Sequence, residues 1–203
     1  MRYLFDVGAH YGEDSLDATR DNSDVICYAF EPTKELVNRL NDTAARAGFA
    51  NRYNVIPCAI ADFDGEADFH LVKDDTGSSS LNEFADNLDK TWPGRTDFVV
   101  RDTVNVNVYR LDTWIKANAP EITEIDYLHI DAQGSDLAVL KGLGDMLRIV
   151  KRGVVEVPQS EDVKLYKTQH SKDETILFLQ ANGFKIAEIR PQQNEDNIFF
   201  ERI

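Results

Sequence analysis

A short glycine-containing turn follows the first apolar run of the chain. Residues 6–12 have the sequence Asp-Val-Gly-Ala-His-Tyr-Gly. Gly8 permits a tight turn, and Gly12 permits a ligand to approach the start of the next helix. The spacing lacks the middle glycine of dinucleotide-binding motifs, because position 10 is histidine. Taken alone, this pattern serves packing as readily as ligand binding.

The second apolar run ends at an acid, Glu31, which is followed by Pro32. In nucleotide-binding α/β proteins, an acid at this place accepts hydrogen bonds from the two hydroxyls of a ribose. An acid at a helix start is also favoured by the helix dipole alone. Together with the glycine turn, Glu31 predicts a nucleoside ligand.

The surroundings of the turn are acidic. Asp6, Glu13, Asp14 and Glu31 cluster there, and Arg2 is the only Lys or Arg among the first twelve residues. A pyrophosphate would meet this negative charge without a neutralising partner. S-adenosylmethionine carries a sulfonium cation, an ammonium group and one carboxylate, which amides at a helix start can bind. The turn therefore favours S-adenosylmethionine over a nicotinamide dinucleotide.

Apolar runs typical of strands alternate with helical patterns along most of the chain. Such alternation predicts an α/β fold with a mostly parallel sheet and helices on both faces. Ligands of such sheets bind beyond the carboxyl ends of the strands, where the turn and Glu31 stand. Ser171 and Glu174 form a capping box at the start of the last helix, and Gly183 ends it. The predicted strands are 3–7, 25–30, 53–60, 66–72, 102–111, 125–130, 150–157, 184–189 and 198–203, and the other predicted helices are 13–20, 34–47, 112–118 and one after Ser135.

The stretch at 73–97 interrupts this alternation. It is polar, rich in Gly, Ser, Asp and Asn, and carries Trp92-Pro93-Gly94 near its end. A long segment without periodicity is typical of a lid or binding loop, or of disorder. We expect one domain over 1–203 with a loop or lid insertion at about 73–103, and we expect acceptor specificity to reside there and around 157–170.

Composition narrows the set of partners. The 203 residues include 22 Lys and Arg against 36 Asp and Glu, a net charge of −14. Such a chain repels phosphate backbones and anionic lipid heads, so neither nucleic acid nor a membrane is an expected partner. The sequence has no apolar stretch of about 18 residues and no signal-peptide pattern, so a cytoplasmic location is expected. Cys27 and Cys58 are expected to be buried free thiols, and the oligomeric state is left open.

Six short motifs occur in order along the chain, at residues 5–16, 29–32, 59–65, 78–81, 110–113 and 125–134. Together they resemble the FkbM-type family of S-adenosylmethionine-dependent methyltransferases, from residue 3 to about 157. The resemblance implies the class I methyltransferase (Rossmann-like) fold, with a seven-stranded, mostly parallel sheet whose last strand is reversed. It also implies O-methylation, commonly of a hydroxyl on a sugar or a secondary metabolite.

The resemblance also assigns roles to single residues. The implied cofactor contacts are Asp6, Gly8, Ala9 and Gly12 around the methionine part, Ser15 facing it, Glu31 with Pro32 at the ribose, Asp62 at the adenine amine, Ser79 and Ser80 near the pocket, and Asp131 where the methyl group meets the acceptor.

Three residues depart from the family pattern. His10 stands in place of an asparagine, and Gln133 and Asp136 each stand in place of a glutamate. An amide neither accepts a proton nor binds a cation as a carboxylate does. If the family glutamate is needed for turnover, this protein is slow, altered in substrate, or inactive. Asp131, Gln133 and Glu156 could instead coordinate a divalent cation, but the glutamine weakens such a site, so no metal is expected.

Methyl transfer to a hydroxyl depends mostly on alignment and exclusion of water, aided by a base. The candidate catalytic residues are Asp131, His10 and Glu156. Asp131 could instead bind the cofactor ammonium, and His10 could act only as a positioning donor. His129 shares a strand face with Asp131 and is expected to be packed.

The sequence thus predicts a methyltransferase that uses S-adenosylmethionine to methylate a hydroxyl of a small-molecule or glycan acceptor. One alternative is a domain that binds the cofactor without turnover, which Gln133 favours. A second is a nicotinamide-dependent oxidoreductase, which the missing glycine and the acidic turn disfavour.

Overall fold

The computed structural model of the chain describes residues 1–74 and 76–203. Strands and helices alternate in the first half, as the apolar pattern predicts. The elements up to the middle of the chain are β1 (Arg2–Val7), α1 (Leu16–Asp21), β2 (Val25–Phe30), α2 (Lys34–Arg46), β3 (Tyr53–Ile56), β4 (Ala59–Ala61), β5 (Gly65–Val72) and α3 (Leu88–Thr91).

The second half returns to the same alternation. Ser171 and Glu174 form the predicted capping box at the start of the last helix. Ser135 precedes a helix as predicted, although its side chain makes no capping hydrogen bond. The remaining elements are β6 (Val100–Arg110), α4 (Leu111–Asn118), β7 (Tyr127–Ile130), α5 (Asp136–Gly142), β8 (Arg152–Pro158), α6 (Lys172–Ala181), β9 (Phe184–Pro191) and β10 (Glu195–Arg202).

Seven strands form the main sheet, in the order β3-β2-β1-β7-β8-β10-β9. The first five strands in this order run parallel to one another, while β10 is antiparallel to both β8 and β9. The predicted α/β fold is therefore confirmed, including the mostly parallel seven-stranded sheet and the reversed last strand. The carboxyl ends of β1, β2, β7 and β8 meet at one edge, where ligands of such sheets bind.

Strand alternation sends side chains to the two faces of this sheet. Phe5 of β1 packs in a core with Leu111 and Leu140, which lie on α4 and α5. Leu4 packs on the opposite face with Leu40 of α2. Helices thus pack on both faces of the sheet. The face that carries Leu4 is left uncovered over β7 and β8, where a groove of 720 Å³ runs along it.

The apolar run at 53–60, predicted as one strand, is two strands in two sheets. β3 pairs with β2, whereas β4 pairs with β6. Pro57 lies between them, and proline has no N–H to continue a ladder. β4, β6 and β5 then form a separate sheet of three strands, which the sequence pattern did not reveal.

The segment predicted as an insertion carries little regular structure. It holds a 3₁₀ turn at Thr76–Ser78 and the short helix α3, and Asp75 lies outside the described residues. Trp92, Phe84 and Phe98 of this segment pack against Leu165 and Tyr166. This aromatic contact places the segment over the edge of the main sheet.

The cysteines and the helix lengths bear on two further expectations. Cys27 and Cys58 are buried free thiols, as predicted. None of the helices in the described part of the chain combines the length and the apolar character needed to cross a membrane.

Candidate active site

The turn after β1 has the left-handed backbone that its glycines permit. Gly8 and Gly12 have φ angles of 84° and 80°. A Cβ atom on Gly8 would lie 1.9 Å from the carbonyl oxygen of Asp131, so only glycine lets β1 end this close to β7. A Cβ on Gly12 would meet Leu16 and Leu40 at 2.6 and 2.9 Å. Gly12 thus serves packing of the first helices, and its approach to a ligand stays a prediction.

Glu31 braces this turn from the end of β2. Its Oε2 accepts a hydrogen bond from the backbone N–H of His10 at 3.0 Å, and its Oε1 accepts one from Thr33 at 2.7 Å. The side chain is buried, and burial raises its pKa against the opposing effect of these hydrogen bonds. The Thr33 side chain also hydrogen-bonds to this carboxylate. A carboxylate has about four acceptor sites, so Glu31 keeps room for a further donor.

A narrow cavity of 50 Å³ lies beside Glu31 at the carboxyl edge of the main sheet. Its walls are mostly apolar, with Glu31 as the buried carboxylate among them. His10 closes one side, because its Nε2 is 2.9 Å from Oγ1 of Thr76. The lining includes Gly8, Phe30, Pro32, Leu36, Ile60, Phe69, Thr76, Ser79, Leu81, Asp131 and Gln133.

A second cleft of 370 Å³ adjoins this cavity and shares Gly8, His10, Gly77, Asp131 and Gln133 with it. It is wider and more polar than the first. Its other lining residues are Ala9, Glu13, Asp14, Ser78, Trp92, Arg95, Phe98, His129, Leu165 and Glu195.

Asp6 and His129 form a buried charged pair on the open face of the sheet. Asp6 is 1% exposed, and its Oδ1 lies 2.8 Å from Nδ1 of His129. Burial lowers the pKa of His129, but the hydrogen bond to Asp6 and the charges of Asp6, Asp14 and Asp131 outweigh burial and raise it to about 9. His129 is therefore a cation at neutral pH. The second oxygen of Asp6, Oδ2, has no hydrogen-bond partner among the described residues.

Asp131 and Glu156 form a pair of carboxyl groups at the ends of β7 and β8. Each of the two side chains shifts the pKa of the other. Burial raises the pKa of Glu156 well above its usual value, and the charge of Asp131 raises it further. Burial also raises the pKa of Asp131, although His129, Gln133 and Glu156 oppose this shift. Because a charge on one carboxyl group disfavours a charge on the other, we expect the pair to share one proton at neutral pH.

Gln133 and Tyr166 complete this group. The Gln133 amide nitrogen lies 2.5 Å from Asp131 Oδ1 and 3.3 Å from Glu156 Oε2, and the Tyr166 hydroxyl lies 2.7 Å from the amide oxygen. Tyr166 therefore fixes which way the amide points. No pattern in the sequence points to Tyr166, because it follows a 3₁₀ turn at Glu161–Val163 and nothing local places it at the strand ends.

Two further acids border the pair. Burial, with the charge of Asp131, raises the pKa of Asp136 to about 7, although the backbone N–H groups of Ala132 and Gly134 donate to it. Burial, with the charges of Asp131 and Asp136, raises the pKa of Glu195 to about 8. Sequence reasoning missed Glu195, since only the insertion of reversed β10 beside β8 brings it to this edge.

Several predicted cofactor contacts have other partners. The buried hydroxyl of Ser15 is 2.7 Å from that of Tyr53, and Ser80 donates to the Gln133 carbonyl at 2.6 Å. Ser79 accepts from the Val72 N–H at 3.0 Å and lines the narrow cavity. Asp62 is exposed and does not line that cavity. The chain leaves the main sheet at Pro57. The narrow cavity is therefore lined by Cys58, Ala59 and Ile60 instead.

No group of three or more His, Cys, Asp or Glu side chains in the described ranges is arranged to hold a metal ion. Between Asp131 and Glu156, the place that a cation would occupy is filled by the Gln133 amide.

The sequence of the chain matches the model of the Methyltransferase FkbM domain over residues 6–186. None of the curated proteins compared with the chain matches it in sequence.

Solved structures resemble the fold at low sequence identity. A methyltransferase FkbM from Methylobacillus flagellatus KT matches with a TM-score of 0.59 at 14% identity, covering 98% of this chain and 43% of that one. TrmK of M. capricolum, in complex with the cofactor product S-adenosylhomocysteine, matches at 0.51 and 10%, covering 99% and 62%. A SAM-dependent methyltransferase from Aquifex aeolicus matches at 0.50 and 12%, covering 100% and 82%. The chain therefore spans less than two thirds of the first two of these proteins.

Proposed function

The chain belongs to the FkbM methyltransferase domain family, and we propose that it transfers the methyl group of S-adenosylmethionine to a hydroxyl. The proposed acceptor is a carbohydrate or a secondary metabolite. The observation that carries this proposal is the position of Asp131, which lines both compartments of the site beside Glu156, whose pKa burial raises well above its usual value.

The residues of the site fit the cofactor. The narrow apolar cavity with Glu31 at its side suits an adenosine, whose ribose hydroxyls donate to a carboxylate. The free Oδ2 of Asp6 and the exposed Asp14 suit the ammonium of the methionine part, and the His129 cation suits its carboxylate. Ligand pockets usually measure roughly 300–1,000 Å³, so the 50 Å³ cavity has to widen. The 3₁₀ turn at Thr76–Ser78, held by His10, is the wall that would move.

When bound, S-adenosylmethionine supplies a methyl group on a sulfonium centre for in-line displacement. Asp131 would accept the proton of the acceptor hydroxyl. We assign the proton that the acidic pair shares to Glu156, which leaves Asp131 as the base, and Gln133 holds Asp131 in place. A base in such a position contributes about 10²–10⁴-fold to the rate.

His10 has a different part in this mechanism. Its ring bonds Thr76 and approaches Glu13, and its backbone N–H donates to Glu31. We assign it to holding the turn and the cavity wall rather than to proton transfer.

A direct test starts with calorimetric titration of the purified protein with S-adenosylmethionine, S-adenosylhomocysteine and NAD. We expect both adenosyl ligands to bind and NAD not to bind. The protein is then incubated with S-adenosylmethionine and a panel of sugars and other alcohols, and products are screened by mass spectrometry for one added methyl group.

The outcomes separate the candidate functions. Methyl ethers on a hydroxyl support the proposal, and methylation only at nitrogen or carbon would refute O-methylation. Gln133, in place of the family glutamate, favours a second candidate: a domain that binds the cofactor without turnover. Tight binding of both adenosyl ligands without product across the panel would favour that candidate.

A further inference from the structure

Glu195 begins β10 and lines the same cleft as Asp131. In the antiparallel register, Pro158 pairs with Glu195 and Glu156 pairs with Asn197. Side chains two residues apart on a strand share a face. Glu195 therefore lies on the face of Glu156, as its diagonal neighbour across the two strands, where side chains are roughly 7–8 Å apart.

We propose that Glu195 binds an acceptor hydroxyl next to the one that Asp131 deprotonates, and that the acceptor is therefore an uncharged polyol. This inference rests on the proposed function and adds to it the class of acceptor and the residue that selects it. The carboxyl groups of Asp131 and Glu195 line the same cleft, and their oxygens can form hydrogen bonds with neighbouring hydroxyls of one acceptor.

The charge of the cleft supports an uncharged acceptor. The acids Glu13, Asp14 and Asp131 line it. Of its cations, Arg95 is paired with Asp97 at 2.7 Å, and His129 with Asp6 at 2.8 Å. A phosphate or carboxylate on the acceptor would enter a cleft in which acids outnumber unpaired cations.

The protonation of Glu195 gives it both hydrogen-bonding roles. Its pKa of about 8 leaves it a neutral acid at neutral pH, able to donate to one oxygen and accept from another hydroxyl. The groups that face it are Asp131 from β7, Asp136 from α5, Glu156 from β8, Arg95 from the segment before β6, and Tyr166 and Gln169 from the segment before α6.

The test uses the full chain saturated with S-adenosylhomocysteine. It is titrated with a set of neutral probes, the methyl glycosides of glucose, galactose, mannose and rhamnose, and with two anionic probes, methyl glucuronide and glucose 6-phosphate. Binding is followed by NMR. We expect at least one neutral glycoside to bind, and both anionic probes to bind at least about tenfold more weakly.

Variants assign this preference to Glu195. Glu195→Ala is expected to weaken binding of the neutral glycoside about tenfold, whereas Glu195→Gln, which keeps a donor and an acceptor, stays within about twofold. Glu201→Ala, on the same strand and outside the cleft, is the matched control. Above pH 8 the wild type should lose glycoside affinity and Glu195→Gln should not.

The inference is overturned if no neutral glycoside binds, if the anionic probes bind as tightly, or if Glu195→Ala binds like the wild type. The proposed function fails separately, when S-adenosylhomocysteine itself does not bind. Unchanged affinity for S-adenosylhomocysteine in both Glu195 variants shows that the fold and the cofactor site are intact.

Discussion

The side-chain amide of Gln133 donates a hydrogen bond to the Asp131 carboxylate at 2.5 Å, and the same nitrogen lies 3.3 Å from Glu156. A neutral donor thus occupies the space between two acids that share one proton. A glutamate at this position would add a third carboxyl group to the cluster without contributing the donor that now stabilises it.

Replacement Gln133→Glu should therefore destabilise the protein most at alkaline pH. The added negative charge raises the pKa of Asp131, and the lost amide costs about 1–3 kcal/mol in the free energy of unfolding. Urea unfolding at about pH 6 and about pH 9 measures this change. Added Mg²⁺ should recover part of the loss in the variant and not alter the wild type. The exposed Gln180→Glu is the control, and equal effects of the two substitutions would contradict the prediction.

Replacement Asp131→Asn should abolish proton acceptance while keeping the shape of the side chain. We expect turnover to fall by about 10²–10⁴-fold, with affinity for S-adenosylhomocysteine nearly unchanged. Initial rates of S-adenosylhomocysteine formation and calorimetry measure the two quantities. Asp145→Asn, at an exposed position, serves as the control. Loss of cofactor affinity in Asp131→Asn would instead assign this residue to the cofactor ammonium.

Replacement Glu31→Gln should weaken cofactor binding. The amide keeps one acceptor oxygen, so the ribose and one of the two backbone donors, His10 or Thr33, lose a partner. A hydrogen bond to a charged group contributes about 1.5–3 kcal/mol, which corresponds to about a tenfold to hundredfold rise in the Kd of S-adenosylhomocysteine. The exposed Glu35→Gln on α2 is the control. Equal affinities of the two variants would place the ribose elsewhere.

Stability should fall as the pH rises toward 9. The pKa of His129 rises from 6.5 in the unfolded chain to about 9 in the fold, so its contribution is complete below 6.5 and is lost by pH 9. The buried acids Asp136 and Glu195 act in the same direction up to about pH 7 and pH 8, because the fold retains protons that the unfolded chain releases. Unfolding in urea across this range measures the slope. His129→Gln should flatten it between pH 6.5 and 9, and His70→Gln should not; an unchanged slope in His129→Gln would refute the assignment.

Replacement Gly8→Ala and replacement Gly94→Ala separate backbone strain from crowding. Both glycines have a φ of 84°, but a Cβ on Gly94 meets no atom of the described residues within 4 Å. The left-handed backbone costs about 1–2 kcal/mol in either variant. Gly8→Ala adds the clash with Asp131, for about 1–3 kcal/mol more. Urea unfolding compares the two, and equal losses would show that β1 and β7 can separate without cost.

The main sheet could be predicted from sequence because its strands are apolar runs separated by helical patterns. The same signal fails at 53–60, where one uninterrupted apolar run changes sheets at Pro57. Hydrophobic periodicity indicates which residues are buried but not which strands pair. The separate sheet of β4, β6 and β5 could therefore not be predicted from the sequence. For the same reason, the sequence did not show that Cys58, Ala59 and Ile60 line the narrow cavity.

Several residues of the candidate site could be predicted from the sequence, but their arrangement in space could not. Strand ends identified Asp131, Glu31 and Glu156 individually. That Asp131 and Glu156 share a proton depends on the distance between two strands and on burial, neither of which a sequence displays. Glu195 and Tyr166 carry no local pattern at all, since long-range pairing brings them to the edge.

The reversed strand β10 sets the order in which this protein can assemble. It lies between β8 and β9, and within the described part of the chain β9 has no other neighbour in the main sheet. Residues 195–202 are synthesised after both strands with which they pair, so β9 cannot join the main sheet until β10 pairs with β8. Such late, non-local pairing slows folding. Until β10 pairs, the facing edges of β8 and β9 remain unpaired and exposed. We therefore expect the emerging chain to depend most on protection from aggregation just before β10 is released from the ribosome.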